Sequence, residues 1–275
     1  SEDTTREFLM ELADGRYVET VLIPASPALY GERADRHTLC VSSQVGCAYG
    51  CKFCASGLDG FTRNLSAAEI VSQIILAEEM SGEKVNNLVF MGMGEPLLNY
   101  KNMLRSIELI TSEEGLGMSP KRITVSTAGI AKMIRKLGDD EVKFNLALSL
   151  HAANDKKRSH IMEINDSNNL DALREALKYF HEKTDTRVTF EYIIFKDFND
   201  ALEDAQELAE FAKCVPCKIN IIEYNPIDDG IYQQASQKIL DDYIKALESN
   251  RIIVNVRRSR GKDIDAACGQ LANKS

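Results

Sequence analysis

Cys47-Ala48-Tyr49-Gly50-Cys51-Lys52-Phe53-Cys54 is the stretch that decides how this chain is read. Its three thiols stand at spacings of four and three, with an aromatic residue just before the last. A cubane 4Fe-4S cluster is normally held by four thiolates. Three in one loop, with no fourth beside them, leave one iron open to a small molecule. Gly46 and Gly50 allow the unusual backbone angles of a chain that curls round an inorganic core. A zinc knuckle is the rival reading, but zinc favours paired C-x2-C halves or added histidine, and the nearest histidine, His37, lies well upstream. Spacing therefore favours iron–sulfur over zinc.

Bulk properties bound what such a loop can serve. The chain has 275 residues, long enough for a substantial core in one large domain or two small ones. Hydrophobic residues at 44% and charged residues at 27% are ordinary for a soluble globular protein. No run approaches the roughly 18 apolar residues of a membrane span. The start is acidic and polar rather than signal-like, and Ser1 in place of methionine points to a trimmed start. Seven cysteines without a secretory signal argue for a reducing cytoplasm, where thiols serve metals and catalysis. A net charge of −9 counts against a simple nucleic-acid binder, unless a local patch or a separate domain supplies the basic surface.

Outward from the cysteine loop the chain has a rhythm. Before it, Phe8 to Leu12 and Tyr17 to Ile23 flank Asp14-Gly15 and read as a β-hairpin, although the first arm fits a short helix equally well. Residues 24–37 read as a loop. Apolar, β-branched runs follow at Leu39 to Ser43, Leu88 to Met91, Ile123 to Ser126, Phe144 to Leu150, Val188 to Phe195, Ile219 to Tyr224 and Ile252 to Val256. Helical patterns lie between them. Ser66 and Glu69 form a capping box before Ile70, Ile74 and Ala77. Leu170, Leu173, Leu177 and Phe180 share one face, as do Leu202, Ala205, Leu208 and Ala209, and also Leu240, Tyr243, Ile244 and Leu247. Such alternation predicts parallel βαβ units that close or nearly close into a barrel within one catalytic domain. An open doubly wound sheet is the competitor, and periodicity does not separate the two.

In βα barrels the chemistry sits where strands end. The cysteine loop follows the first barrel strand. Met91-Gly92-Met93-Gly94-Glu95-Pro96 follows the second, with small residues for a close approach and a carboxylate that can hold an ammonium group. Ser126-Thr127-Ala128-Gly129, Ser149-Leu150-His151 and Tyr224-Asn225-Pro226 close three more. Each alone reads as a turn or cap, and His151 alone as a satisfied structural histidine. A barrel would bring them to one mouth. Outside the loop, Cys40 in a strand reads as a small buried hydrophobe, whereas Cys268, among small and polar neighbours, could act as a nucleophile. Cys214 and Cys217 read as incidental. The basic run Arg257, Arg258, Arg260 and Lys262 is usually a solvated face but would also suit RNA. Lys132, Arg135 and Lys136 read as an exposed helix face.

Thr38 to Cys47, Phe61 to Leu65, Gly94-Glu95-Pro96 and Asp263 to Leu271 together resemble the radical-SAM rRNA adenine C2-methyltransferases, from about residue 16 to the end of the chain. The resemblance implies an α/β fold: a partial (β/α)6 TIM-like barrel over residues 38–275, with a C-terminal extra strand and a C-terminal catalytic segment. Residues 1–37 would be an N-terminal β-hairpin extension and loop, with the family's accessory RNA-holding domain largely absent. It implies 23S rRNA as substrate, in some members tRNA as well. The implied cofactors are a 4Fe-4S cluster and two molecules of S-adenosylmethionine per turnover. An electron donor such as a flavodoxin, a monomeric state, a cytoplasmic location and no membrane complete the picture.

Carried over by motif, Cys47, Cys51 and Cys54 become cluster ligands. Gly94, Glu95, Ser126, Ser149, Leu150, His151 and Asn225 become the lining of the S-adenosylmethionine site. Cys268 becomes the methyl carrier, Cys40 its resolving partner through a disulfide, and Glu19 the proton acceptor. In three places the chain departs from the family: a longer loop between Glu19 and Cys40, the Cys214-Val215-Pro216-Cys217 run, and Glu163 and Glu223 where neutral residues are expected. Two alternatives stand beside this one. The first is the sister branch that methylates C8 of the same adenine. The second is a zinc or electron-transfer protein that uses only the three loop cysteines.

Overall fold

The computed structural model describes residues 1–25, 36–58, 60–228 and 230–272, so most of the loop expected over residues 24–37 lies outside the described residues. The chain forms two compact units. The first comprises Ser1–Gly50, Cys54–Ser126 and Arg260–Ser275. There β1 (Arg6–Glu11) pairs antiparallel with β2 (Tyr17–Pro24). The first arm is a strand because Phe8 and Met10 bury one face while Leu9 and Glu11 stay exposed, a period of two. Asp14-Gly15 turns the chain, with Gly15 at a φ of +76° and Leu12 N–H donating to Arg16 O at 2.7 Å. β3 (His37–Cys40) adds to β2, again antiparallel. It stops short of the expected Ser43 because the chain there leaves the ladder, and Ser43 N–H donates instead to Met93 O at 2.9 Å.

β4 (Gln44–Gly46) and β5 (Phe61–Asn64) form a small antiparallel ribbon on either side of the cysteine loop, bulged at Val45/Gly46. This ribbon has no signal in the sequence, since such short strands carry no readable alternation. α1 (Ala67–Ser81) starts at the expected capping box, with Ser66 Oγ accepting from Glu69 N–H and the Glu69 carboxylate accepting from Ser66 N–H. β6 (Asn87–Phe90) runs parallel to β3, α2 (Tyr100–Thr111) follows, and β7 (Ile123–Thr127) runs parallel to β6.

The second unit comprises Cys51–Phe53 and Thr127–Ser259. Its elements are α3 (Ala131–Asp139), β8 (Asn145–Ser149), α4 (Asp155–Ile161), α5 (Leu170–Thr184), β9 (Val188–Ile193), α6 (Leu202–Ala212), β10 (Cys217–Ile222), α7 (Gln237–Ser249) and β11 (Ile253–Arg257). β8, β9, β10 and β11 lie side by side in that order, all parallel. The expected C-terminal extra strand is β11. Leu170, Leu173, Leu177 and Phe180 on α5 are buried as the pattern predicts, each contributing roughly 1.5–3 kcal/mol by leaving water. On α6, Ala205, Leu208 and Ala209 do the same, but Leu202 at the first turn is 56% exposed. Every residue of β9 is buried, so both faces of that strand are covered. Among the described residues no helix is long and apolar enough to cross a membrane.

Candidate active site

In the first unit, the turn after β6 is built round Gly94. Its φ is +95°, and a Cβ there would lie 2.4 Å from the Cβ of Gln44, so glycine alone fits. Gln44, buried at the start of β4, accepts from Glu95 N–H at 2.8 Å and donates to Asn64 Oδ1 at 2.8 Å. Glu95 is buried, and its Oε1 accepts from Leu97 N–H at 3.0 Å. Asn99 ties the same turn to the cysteine loop's base by donating to Ser43 O and Leu65 O at 2.8 and 2.7 Å. Ser126 is buried at the end of β7. The carboxylate of Glu95 is close enough to Cys47 to oppose ionisation of that thiol. Burial is the larger effect and pushes Cys47 up to about 11, with a neighbouring Cys54 adding to it. Cys54 is raised in the same direction, chiefly by burial.

The C-terminal segment is tethered beside this loop. Ala55 N–H, next to Cys54, donates to Gly269 O at 2.7 Å, and Ser56 Oγ donates to Leu271 O at 2.7 Å. Ala272 N–H donates to Oε2 of Glu19 at 2.9 Å. Cys268 is exposed within this segment, flanked by buried Ala266 and Ala267. Cys40 is 8% exposed and pairs with Val21 across the β2–β3 ladder. Alternation along β2 puts Glu19 on the same sheet face as Val21, and therefore as Cys40. The first unit thus holds Glu19, Cys40 and Cys268, with Glu19 bonded to the segment that carries the exposed thiol.

The second unit holds Cys51, Ser149, Leu150, His151 and Asn225. His151 sits at a φ of +55°, and its Nδ1 accepts from Ile193 N–H at 3.2 Å. Asn199 Nδ2 donates to His151 O at 2.7 Å, and the ring packs edge-on against Phe53 with centroids 4.5 Å apart. Burial, reinforced by the nearby positive charge of Arg158, holds His151 down to about 3, so it is a neutral imidazole at ordinary pH. Asn225 is buried, and its Nδ2 donates to Glu223 O at 3.4 Å. Arg158, on α4, is fully buried and donates to Leu150 O, Ser149 O and Ala128 O at 3.2, 3.2 and 2.6 Å.

Sequence reasoning missed Gln44, Asn199 and Arg158. Arg158 sits in Asn154-Asp155-Lys156-Lys157-Arg158, which reads as a solvated charge run, and only the fold reveals its burial. The arginines of the basic run are paired with acids, while Arg257 and Arg258 stay 41% and 61% exposed. Arg257 lies 3.7 Å from Glu191, Arg258 pairs with Glu223 at 2.7 Å, and Arg260 pairs with Asp3 at 3.0 Å. Glu223 is the counter-ion of Arg258 and also accepts from Ser259 N–H at 3.1 Å. Cys214, just after α6, and Cys217, the first residue of β10, are pushed by burial to about 11 and about 12.

Among the described residues no three His, Cys, Asp or Glu side chains are gathered tightly enough to cage a metal ion. The donor set nevertheless suits an iron–sulfur cluster. Cys47 and Cys54 are half-buried thiols whose surroundings disfavour a bare thiolate, and a cationic iron–sulfur core would supply the charge that lets both ionise.

A family model described as the Radical SAM superfamily matches residues 41–212. The probable dual-specificity RNA methyltransferase RlmN of Cytophaga hutchinsonii is 56% identical over 278 residues, covering 100% of this chain and 74% of that protein. Its namesake in Christiangramia forsetii is 54% identical, covering 100% of this chain and 77% of that protein. The crystal structure of a radical SAM methyltransferase from Sphaerobacter thermophilus superposes with a TM-score of 0.92 at 39% identity, covering 98% of this chain and 78% of that one. The fold is therefore the α/β radical SAM fold, a partial TIM-like barrel, and the open doubly wound alternative falls.

Proposed function

The chain belongs to the Radical SAM superfamily and, within it, to the dual-specificity RNA methyltransferases named RlmN, and from that premise we propose that it makes 2-methyladenosine in 23S rRNA and in tRNA with Cys268 as methyl carrier. Residues 38–275 would be the catalytic barrel, working in the cytoplasm as a monomer with a one-electron donor of flavodoxin type. The zinc or electron-transfer reading has no place in this family, and the C8 reading is not favoured by relatives that carry the dual-specificity name.

Adenine C2 is an electron-poor amidine carbon, so direct attack on a sulfonium methyl group fails and a radical route is required. Cys47, Cys51 and Cys54 would hold the cluster. Gly94, Glu95, Ser126, Ser149, Leu150, His151 and Asn225 would line the S-adenosylmethionine site, with Glu95 placed for the ammonium group. When bound, the cluster and S-adenosylmethionine supply the primary carbon radical. The Cys268 thiolate first takes a methyl group from one S-adenosylmethionine, which leaves as S-adenosylhomocysteine; the primary carbon radical would then take a hydrogen atom from that methyl group, and the carbon radical left on the Cys268 sulfur adds to C2. Glu19, buried and close to the C-terminal segment, is the candidate base for the C2 proton. Cys40 attacks the Cys268 sulfur, so that the S–S bond forms as the sulfur–carbon bond to the base breaks; the freed carbon takes up a proton to become the methyl group, and the odd electron would leave to the one-electron carrier. The adenine must leave its stack to reach these groups.

The tethering of the Cys268 segment to Ala55, Ser56 and Glu19 carries this reading. Its test is the intact mass of wild type and Cys268→Ala after anaerobic incubation with methyl-labelled S-adenosylmethionine. One added methyl group on Cys268, absent from the variant, is expected. An intact cluster with no methyl on any cysteine would sink the relay.

A further inference from the structure

Among the described residues Arg158 is a buried charge with no carboxylate in ion-pair contact. Its side chain is fully buried, and all its hydrogen-bond acceptors are neutral: Ala128 O at 2.6 Å, Ser149 O and Leu150 O at 3.2 Å, and Asn165 Oδ1 at 2.9 Å. Asp155, whose charge it feels, is engaged elsewhere: its Oδ1 accepts from Asn165 Nδ2 at 3.0 Å and from Leu170 N–H at 2.9 Å. A guanidinium stays protonated in a protein, and a buried unpaired charge is strongly unfavourable. Such a residue is expected to meet an anion that completes the site. The Cys51 segment is bonded to the helix that carries Arg158, since Lys52 N–H donates to Ile161 O at 3.1 Å, and the Cys51 sulfur lies within electrostatic reach of the guanidinium.

The surrounding chain is built to admit this side chain. Gly129 runs at a φ of +109°, and a Cβ there would sit 3.2 Å from Arg158 Nη2 and 3.1 Å from both Leu148 Cδ1 and Leu173 Cδ2. A side chain at 129 would be strained by the backbone angle and would crowd the guanidinium. The same Nη2 donates to Ser149 O and the Nε to Leu150 O, on two of the residues proposed to line the S-adenosylmethionine site.

We propose that Arg158 is a positioning residue for the cofactor site: it fixes the Ala128 and Ser149–Leu150 carbonyls and presents a permanent positive charge to the Cys51 side of the cluster, which is its missing counter-ion. This rests on the reading of Cys51 as a cluster ligand. A positive charge in a dry setting stabilises the more negative, reduced state of a thiolate-bound cluster. Removing it makes reduction harder and drives the midpoint potential more negative. The donor fork acts separately from the charge. Losing the bonds to Ser149 and Leu150 loosens the strand end and weakens S-adenosylmethionine binding by roughly tenfold.

The experiment is a redox titration of the reconstituted cluster, followed by electron paramagnetic resonance, in wild type, Arg158→Met, Arg158→Gln and Arg158→Lys. Dialysis with labelled S-adenosylmethionine runs alongside. Arg158→Met introduces no unpaired polar end and is the primary charge-free variant; Arg158→Gln replaces it if that protein does not fold. Both are expected at more negative potentials than wild type, and Arg158→Lys near wild type in potential but weaker in binding. A charge-free variant with wild-type potential, or Arg158→Lys shifted as far as Arg158→Met, would overturn the proposal, because a purely structural clamp does not distinguish charge from shape. Failure of wild type itself to take up a cluster would instead overturn the assignment of Cys47, Cys51 and Cys54.

Discussion

His151 shows how burial converts one residue into a pH dependence. Its ordinary value is 6.5 and its folded value about 3, chiefly through burial. The folded state therefore keeps the ring neutral while the unfolded chain takes up a proton below 6.5. Stability from this group is fully present above 6.5 and is lost as pH falls from 6.5 toward 3. Between pH 7.5 and 5.5 the loss is about 1.4 kcal/mol. Urea unfolding across that range should show it in wild type, and His151→Gln should lose that part of the slope. An identical slope in both proteins would place the titration elsewhere. At this scale the sequence reveals residue types better than it reveals partners. Gly94 and Glu95 announce themselves by local pattern, because the turn that needs them is made from adjacent residues. Arg158 and Glu19 do not. Arg158 hides in a charge run, and the amide that Glu19 accepts is 253 residues away.

The elements were the most readable level. Each long strand run predicted for the barrel appears within a few residues of its place, because parallel strands covered on both faces are written as continuous apolar runs. The ribbon of β4 and β5 and the short α4 were not readable, being too brief for either period to repeat. The C-terminal segment belongs with them. It has almost no regular structure, only a 3-10 turn at Lys262–Ile264, and is held by bonds from Ala55, Ser56 and Glu19. Ser56→Ala leaves the Leu271 carbonyl without its 2.7 Å donor, a loss of about 1–3 kcal/mol if it stays buried. Hydrogen exchange of the 268–272 amides should quicken about tenfold or more, and methyl transfer to RNA should fall with it. Unchanged protection over 268–272 would show that other contacts hold the carrier thiol in place.

For the whole molecule, charge is the property in tension with function. A chain at −9 must approach polyanionic RNA, and the arginines of its one strongly basic run are each paired to an acid. Glu223→Gln frees Arg258, whose side chain is 61% exposed, for a phosphate. The expected result is tighter RNA binding, with the slope of log affinity against log salt steeper by about 0.7–0.9. A slope equal to wild type would mean that the run does not face RNA.

The patchwork make-up of the first unit also gives the enzyme a birth order. Its early stretches leave the ribosome long before the residues that tie Glu19 and Ser56 down. At about 5–20 residues per second, the 214 residues from Cys54 to Cys268 take roughly 10–40 s of synthesis. Through that interval the nascent chain owns its cysteine loop but not its methyl carrier, and is unable to begin a reaction that it could not finish.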